Sequence, residues 1–249
     1  MYYYCPAESI ESDYAFFPED ETRHLCTVRR ASAGEEICFT DGAGTLYAGT
    51  FTGEKKGKTA IVQIREQREI PPASVCFRAG FSVPKQKRID IVLEKGTELG
   101  VDHFIPLCFQ RSEKKMAGKT EQMARMRRRT VSAAKQSQRT RFPQIEPPRD
   151  LAEFLAEPFS DRELRVFGDT EPGTPPLAEV LRGRPLGRIR SVTALVGPEG
   201  GVTDPEKERL RGAGFYPVSL GPAVLRVETA VLCFAAAIPL FLIPDSGNG

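Results

Sequence analysis

Between residues 36 and 64 the chain reads as short runs in which β-branched and aromatic positions alternate with polar ones. Residues 37–40 lead into the turn Asp41-Gly42-Ala43-Gly44, residues 45–51 into a turn over 53–58, and residues 59–64 complete the set. Period-two alternation turns one side of each run toward a core. Close runs joined by glycine-rich turns therefore predict a small all-β barrel or sandwich. Pro71-Pro72 ends the pattern, and the domain boundary is expected there, with a β-barrel domain over 1–72 and a second domain over 73–249.

Beyond the prolines the period changes. Residues 75–81 form an apolar run, and Ile89, Val92, Leu93 and Leu99 then recur at helical spacing up to Gly100, a natural C-terminal stop. Residues 103–107, 164–167, 192–196 and 216–220 are further strand candidates. A helix is expected from about Lys119 to Gln138, with Met123, Met126 and Ala134 on a narrow apolar side. Asp204-Pro205-Glu206 predicts another helix start with Asp204 as N-cap, and a last helix is expected over 226–242. Strands alternating with helices imply an α/β domain built on a largely parallel sheet.

Charge sharpens this picture. The net charge is only +2, yet the stretch from Arg111 to Arg141 holds eleven Lys or Arg against two Glu, so the remaining residues sum to −7. A basic segment on an otherwise acidic chain suits a polyanion, although a solvated helix face would look the same. Six scattered cysteines without a CxxC pair fit neither a zinc site nor a disulfide framework, so no metal is expected and a reducing, cytoplasmic compartment is. The apolar stretch 230–243 is shorter than the roughly 20 residues of a membrane span and is interrupted by Pro239.

The chemistry concentrates in two turns. Leu195-Val196-Gly197-Pro198-Glu199-Gly200-Gly201 stands between a buried-strand candidate and a helix start, and Leu220-Gly221-Pro222 follows the next strand. Glycines at the carboxyl ends of parallel strands let a ligand approach the backbone, though a plain tight turn would also explain either one. Neither is a P-loop, because no Gly-Lys-Ser/Thr follows. Val224-Leu225-Arg226-Val227-Glu228-Thr229-Ala230 then opens the last helix and sets Arg226 and Glu228 at the edge of any pocket the two turns share.

Taken together and in order, these motifs resemble the SPOUT-class 16S rRNA uridine-N3 methyltransferases. The resemblance extends to Lys87-Arg88-Ile89-Asp90 through Glu94-Lys95-Gly96-Thr97-Glu98-Leu99-Gly100-Val101, to Pro106 and Arg111-Ser112, to Ala134-Lys135-Gln136-Ser137-Gln138-Arg139, and to His24-Leu25 through Val28-Arg29-Arg30. It covers nearly the whole chain. Three positions depart from the pattern: Lys135 replaces an acid, Val227 a threonine and Arg29 an aliphatic residue.

The resemblance implies an N-terminal PUA-like β-barrel and a C-terminal trefoil-knot methyltransferase domain. It also implies a homodimer that acts on 16S rRNA, within the 30S subunit, with S-adenosylmethionine as cofactor. The cofactor residues it implies are Leu195, Val196, Gly197, Pro198, Glu199, Gly200, Gly201, Leu220, Gly221, Val224, Leu225 and Thr229. Arg226 is expected to stabilise the uracil anion, since a guanidinium stays protonated and makes a poor base, with Glu199 or Glu228 as proton acceptor. RNA contacts are expected at Arg29, Arg30, Arg88, Lys95, Arg111, Gln136, Arg139 and Arg141. Three rivals remain: a ribose 2′-O-methyltransferase of the same class, a non-catalytic RNA-binding assembly factor and a nucleotide-phosphate enzyme. The N-terminal motif speaks against the first, the intact glycine turns against the second and the missing P-loop lysine against the third.

Overall fold

The computed structural model describes residues 1–84, 86–112, 120–184 and 186–242. Lys114, Lys115 and Lys119, counted above in the basic segment, lie outside the described residues. Contacts divide the chain into two compact units, Met1–Pro72 with Val131–Phe142, and Ala73–Thr130 with Pro143–Gly249.

The first unit contains β1 (Tyr3–Tyr4), β2 (Ile10–Glu11), β3 (Tyr14–Phe16), a short helix α1 (Glu19–Arg23), β4 (Glu36–Thr40), β5 (Thr45–Lys56) and β6 (Thr59–Glu69). Its sheet order is β1-β4-β5-β6-β3-β2, antiparallel except where β1 pairs with β4. The sheet curls around a core that includes Phe17, Leu25, Ile37, Phe39, Phe51 and Val62. β5 and β6 run past the ends expected at residues 51 and 64 because ladder hydrogen bonds persist across exposed polar residues, where hydrophobic alternation has stopped.

Residues 131–142, expected in the second domain, fold with this unit. Ala133 and Ala134 are buried, the Thr40 hydroxyl donates to the Thr140 carbonyl at 3.0 Å, and the Phe142 amide donates to the Gly42 carbonyl at 2.9 Å. The Lys135 departure has a local partner here. Its ammonium pairs with Glu21 of α1, a carboxylate only 3% exposed. Burial pushes the Glu21 carboxyl above the usual range, and Lys135 pulls it part of the way back.

The second unit carries β7 (Cys76–Ser82), α2 (Gln86–Glu98), β8 (His103–Cys108), most of α3 (Thr120–Gln136), β9 (Gln144–Ile145), β10 (Arg149–Asp150), α4 (Leu151–Leu155), β11 (Glu163–Gly168), α5 (Leu177–Arg182), β12 (Ser191–Val196), α6 (Asp204–Gly212), β13 (Tyr216–Val218) and α7 (Val227–Leu242). The sheet is parallel throughout, in the order β10-β8-β7-β12-β11-β13, with β9 beside β8. Successive residues point to opposite faces. Val166, Ala194 and Val196 join the core beneath α2 and α7, whereas Phe167 and Leu195 join the one with Phe154 of α4 and Leu210 of α6. After β13 at one edge, α7 returns to pack on α2, β7 and β12.

α6 begins one residue earlier than its sequence suggests. Thr203, extended at φ −74° and ψ 156°, is the N-cap, and Asp204 is the first helical residue. The Glu206 carboxylate accepts hydrogen bonds from the Thr203 amide at 2.9 Å and hydroxyl at 2.8 Å, which is why Thr203 outcompetes Asp204 for the cap. Among the described residues no helix is long and apolar enough to cross a membrane.

Candidate cofactor pocket and active site

β12, β11 and β13 are neighbours in the sheet, and the loops after them converge. Residues 168–171, 196–199, 201–202 and 218–226 line one pocket of about 500 Å³, together with Arg88 of α2 and Val227 and Ala230 of α7. A crevice at the carboxyl ends of parallel strands is where open α/β sheets bind ligands, and the volume suits a nucleoside-sized molecule.

The loop over 197–202 is held firmly. The Gly201 amide donates to the Pro198 carbonyl at 2.8 Å, and Gly201 has φ +78°. A Cβ on Gly197 would overlap the Val202 side chain. The Arg111 guanidinium donates to the Gly200 carbonyl at 2.9 Å, and Glu199 pairs with Arg88. Arg88 also reaches toward Glu228, its Nε 3.6 Å from Oε1, while the other Glu228 oxygen is buried with no partner among the described residues.

Beyond Ser219, which pairs through its backbone with Pro175 and Leu177, the loop over 220–226 is open by contrast. Among the described residues no hydrogen bond is formed by the amides of Ala223, Val224 and Leu225. Gly221 has φ +141°, nothing stands within 4 Å of where its Cβ would lie, and Val224 is 79% exposed. Arg226 is exposed and lines the pocket without an ion-pair partner among the described residues.

The third wall is one that the sequence did not single out. Asp169, at the end of β11, pairs with Lys207 of α6 at 2.8 Å, and Glu171 reaches the same ammonium at 3.1 Å. Burial opposes the charge on Lys207, but its two carboxylate partners win and raise its pKa.

Most of the expected cofactor residues do come together here: Val196, Gly197, Pro198, Glu199, Gly201, Leu220, Gly221, Val224 and Leu225 line the pocket. Leu195, Gly200 and Thr229 do not, and neither does Glu228, expected as a candidate proton acceptor. Leu195 faces the opposite core because it is the odd residue of an alternating strand, and the Gly200 carbonyl is turned to Arg111. Among the described residues no cluster of His, Cys, Asp or Glu could hold a metal ion.

The fit to S-adenosylmethionine rests on this donor set. Unpaired loop amides suit the adenine and carboxylate groups, and an unpartnered buried Asp169 oxygen suits a hydroxyl or ammonium.

Comparison with known proteins decides the family. Residues 73–239 match the RNA methyltransferase domain model, and residues 17–65 match the RNA methyltransferase PUA domain model. Ribosomal RNA small subunit methyltransferase E from Mycobacterium bovis is 30% identical over 230 residues, covering 88% of this chain and 83% of that protein. The chain belongs to the ribosomal RNA small subunit methyltransferase E family. The Bacillus subtilis member is 29% identical, covering 88% of this chain and 87% of that one. The crystal structure of the Neisseria gonorrhoeae member bound to S-adenosyl methionine is similar at a TM-score of 0.82, with 26% identity and 96% of both chains covered.

For a methyltransferase E chain, the expected RNA contacts prove heterogeneous. Arg88 belongs to the pocket. Arg141 donates to the carbonyls of Ala43 and Ile70, so its guanidinium helps close the first unit. Lys95 is occupied by Glu94 and Glu98, Arg29 by Glu35, and Arg111 by Gly200. Arg30 sits at φ +57°, and Gln136 is exposed. Arg139 also has an interaction within the protein. On α3, Arg125 and Arg129 are neutralised by Asp90 and Glu94 of α2, which leaves Arg127 and Arg128 exposed.

Proposed function

We propose that this chain methylates N3 of a uridine in 16S ribosomal RNA within the 30S subunit, using S-adenosylmethionine, as a cytoplasmic homodimer whose C-terminal domain is knotted. The observation that carries the reading is Arg226, an exposed guanidinium on the rim of a pocket built mainly by three loops. When bound, the cofactor supplies an electrophilic methyl group. The loop amides orient it, as expected where the protein contributes position rather than reactive groups.

The uracil imide must lose its proton to become nucleophilic. Arg226 holds a fixed positive charge where the resulting anion develops. Glu199 lines the pocket and Glu228 does not, so Glu199 is the proton acceptor and Glu228 a partner that positions Arg88. The target uridine must leave its stack to reach the pocket.

The test is single-turnover methylation of 30S subunits at saturating cofactor, with the modified nucleotide mapped by mass. Arg226→Ala should be slowed about 10²–10³-fold with little change in cofactor affinity. Arg226→Lys should recover only part of the rate, because an ammonium cannot present the planar fork of guanidinium. A near-normal rate in Arg226→Ala would remove the catalytic role.

A further inference from the structure

Among the described residues, Asp169 is the one carboxylate on the pocket wall with a buried oxygen that lacks a partner. Its side chain is 5% exposed, Oδ1 accepts from Lys207 Nζ at 2.8 Å and from the Glu171 amide at 3.3 Å, and Oδ2 is buried with no partner among the described residues. Buried polar atoms are almost always paired, and an unsatisfied charged one is more costly than a neutral one. The second orphaned carboxylate oxygen in this unit's active-site region, on Glu228, does not line the pocket.

Position and charge narrow what the missing donor is. β11 lies between β12 and β13, so the loop bearing Asp169 is the middle one of the three that build the pocket. Lys207, shared by Asp169 and Glu171, and Arg211, 3.8 Å from Glu171, together balance the two carboxylates, which leaves one acceptor atom and little net field to draw in a cation. A single neutral donor suits that remainder. In open α/β sheets, an acid on a strand beside the glycine turn is well placed to take a sugar hydroxyl.

We propose that Asp169 is a binding residue that accepts a hydrogen bond through Oδ2 from a ribose hydroxyl of the adenosine moiety, with Lys207 as its positioning partner. The assignment rests on the cofactor reading of the pocket. It makes the loop over 168–171 the part of the site that distinguishes ribose from deoxyribose, while the two glycine loops contact the ligand through backbone.

The experiment is calorimetric titration of the full chain with S-adenosylhomocysteine and with its 2′-deoxy and 3′-deoxy analogues. The unmodified protein should bind one of the deoxy analogues roughly tenfold to a hundredfold more weakly than the parent, the factor expected for one hydrogen bond to a charged group. Asp169→Ala should bind the parent weakly by the same factor and lose the discrimination. Equal affinity of the unmodified protein for all three ligands would overturn the assignment without any variant. So would an Asp169→Ala protein that weakens all three equally, since Asp169 would then act only through Lys207. If the unmodified protein binds none of the three, the cofactor reading itself fails and this assignment fails with it.

Discussion

Two walls of the same pocket are built on opposite principles. The loops at 168–171 and 197–202 are tethered: Lys207 ties Asp169 and Glu171 to α6, Arg111 holds the Gly200 carbonyl, and Arg88 holds Glu199. The loop at 220–226 has no such ties among the described residues, its amides at 223–225 unpaired and Val224 79% exposed. Both walls begin as a strand end followed by glycine and proline. Composition alone therefore does not distinguish a preformed wall from an open one. What distinguishes them is whether side chains from other elements reach the loop.

The largest effect expected from breaking the comparison is at Lys207. Lys207→Met leaves Asp169 buried without its counter-charge, which should cost about 3 kcal/mol of stability, at the lower end for a broken buried pair. Urea unfolding measures it, and a loss under 1 kcal/mol would mean that the ion pair does not tether the wall. Next comes Gly197→Ala, whose Cβ would overlap Val202. Overpacking of this kind costs about 1–3 kcal/mol, and cofactor affinity should fall with it. The smallest effect is at Val224→Ser on the untethered wall, where a side chain 79% exposed should change stability by no more than about 0.5 kcal/mol.

Amide hydrogen exchange sharpens the same contrast on the intact protein. Exchange at 223–225 should be fast alone and slow markedly with S-adenosylmethionine. The Gly201 amide, already bonded to Pro198, should change little. Equal protection of both loops before ligand is added would erase the distinction.

Much of the architecture was legible because it follows from local rules. The change from period-two alternation to strand–helix alternation at Pro71-Pro72 marks the passage from the all-β fold to the parallel α/β sheet. The glycine turns after residues 196 and 218 announce themselves because backbone approach and positive φ favour glycine, as at Gly201 and Gly221. The place of Arg226 on the pocket rim was legible for a similar reason: it lies beside such a turn in the chain.

Other features depend on partners distant in sequence. Asp169 carries no motif, and it enters the site only because β11 pairs between β12 and β13, a choice of sheet order that no local window contains. Arg88 and Arg141 look like phosphate contacts in a basic chain, yet one pairs with Glu199 and the other with carbonyls of Ala43 and Ile70. The grouping of residues 131–142 with the β-rich unit likewise depends on Thr40, Gly42 and Glu21, about a hundred residues away. The sequence by itself determined the longer strands and helices and the glycine turns, because propensity and periodicity are properties of neighbours. The tertiary structure alone decided which charges are free, because the energy of a charge depends on what packs against it.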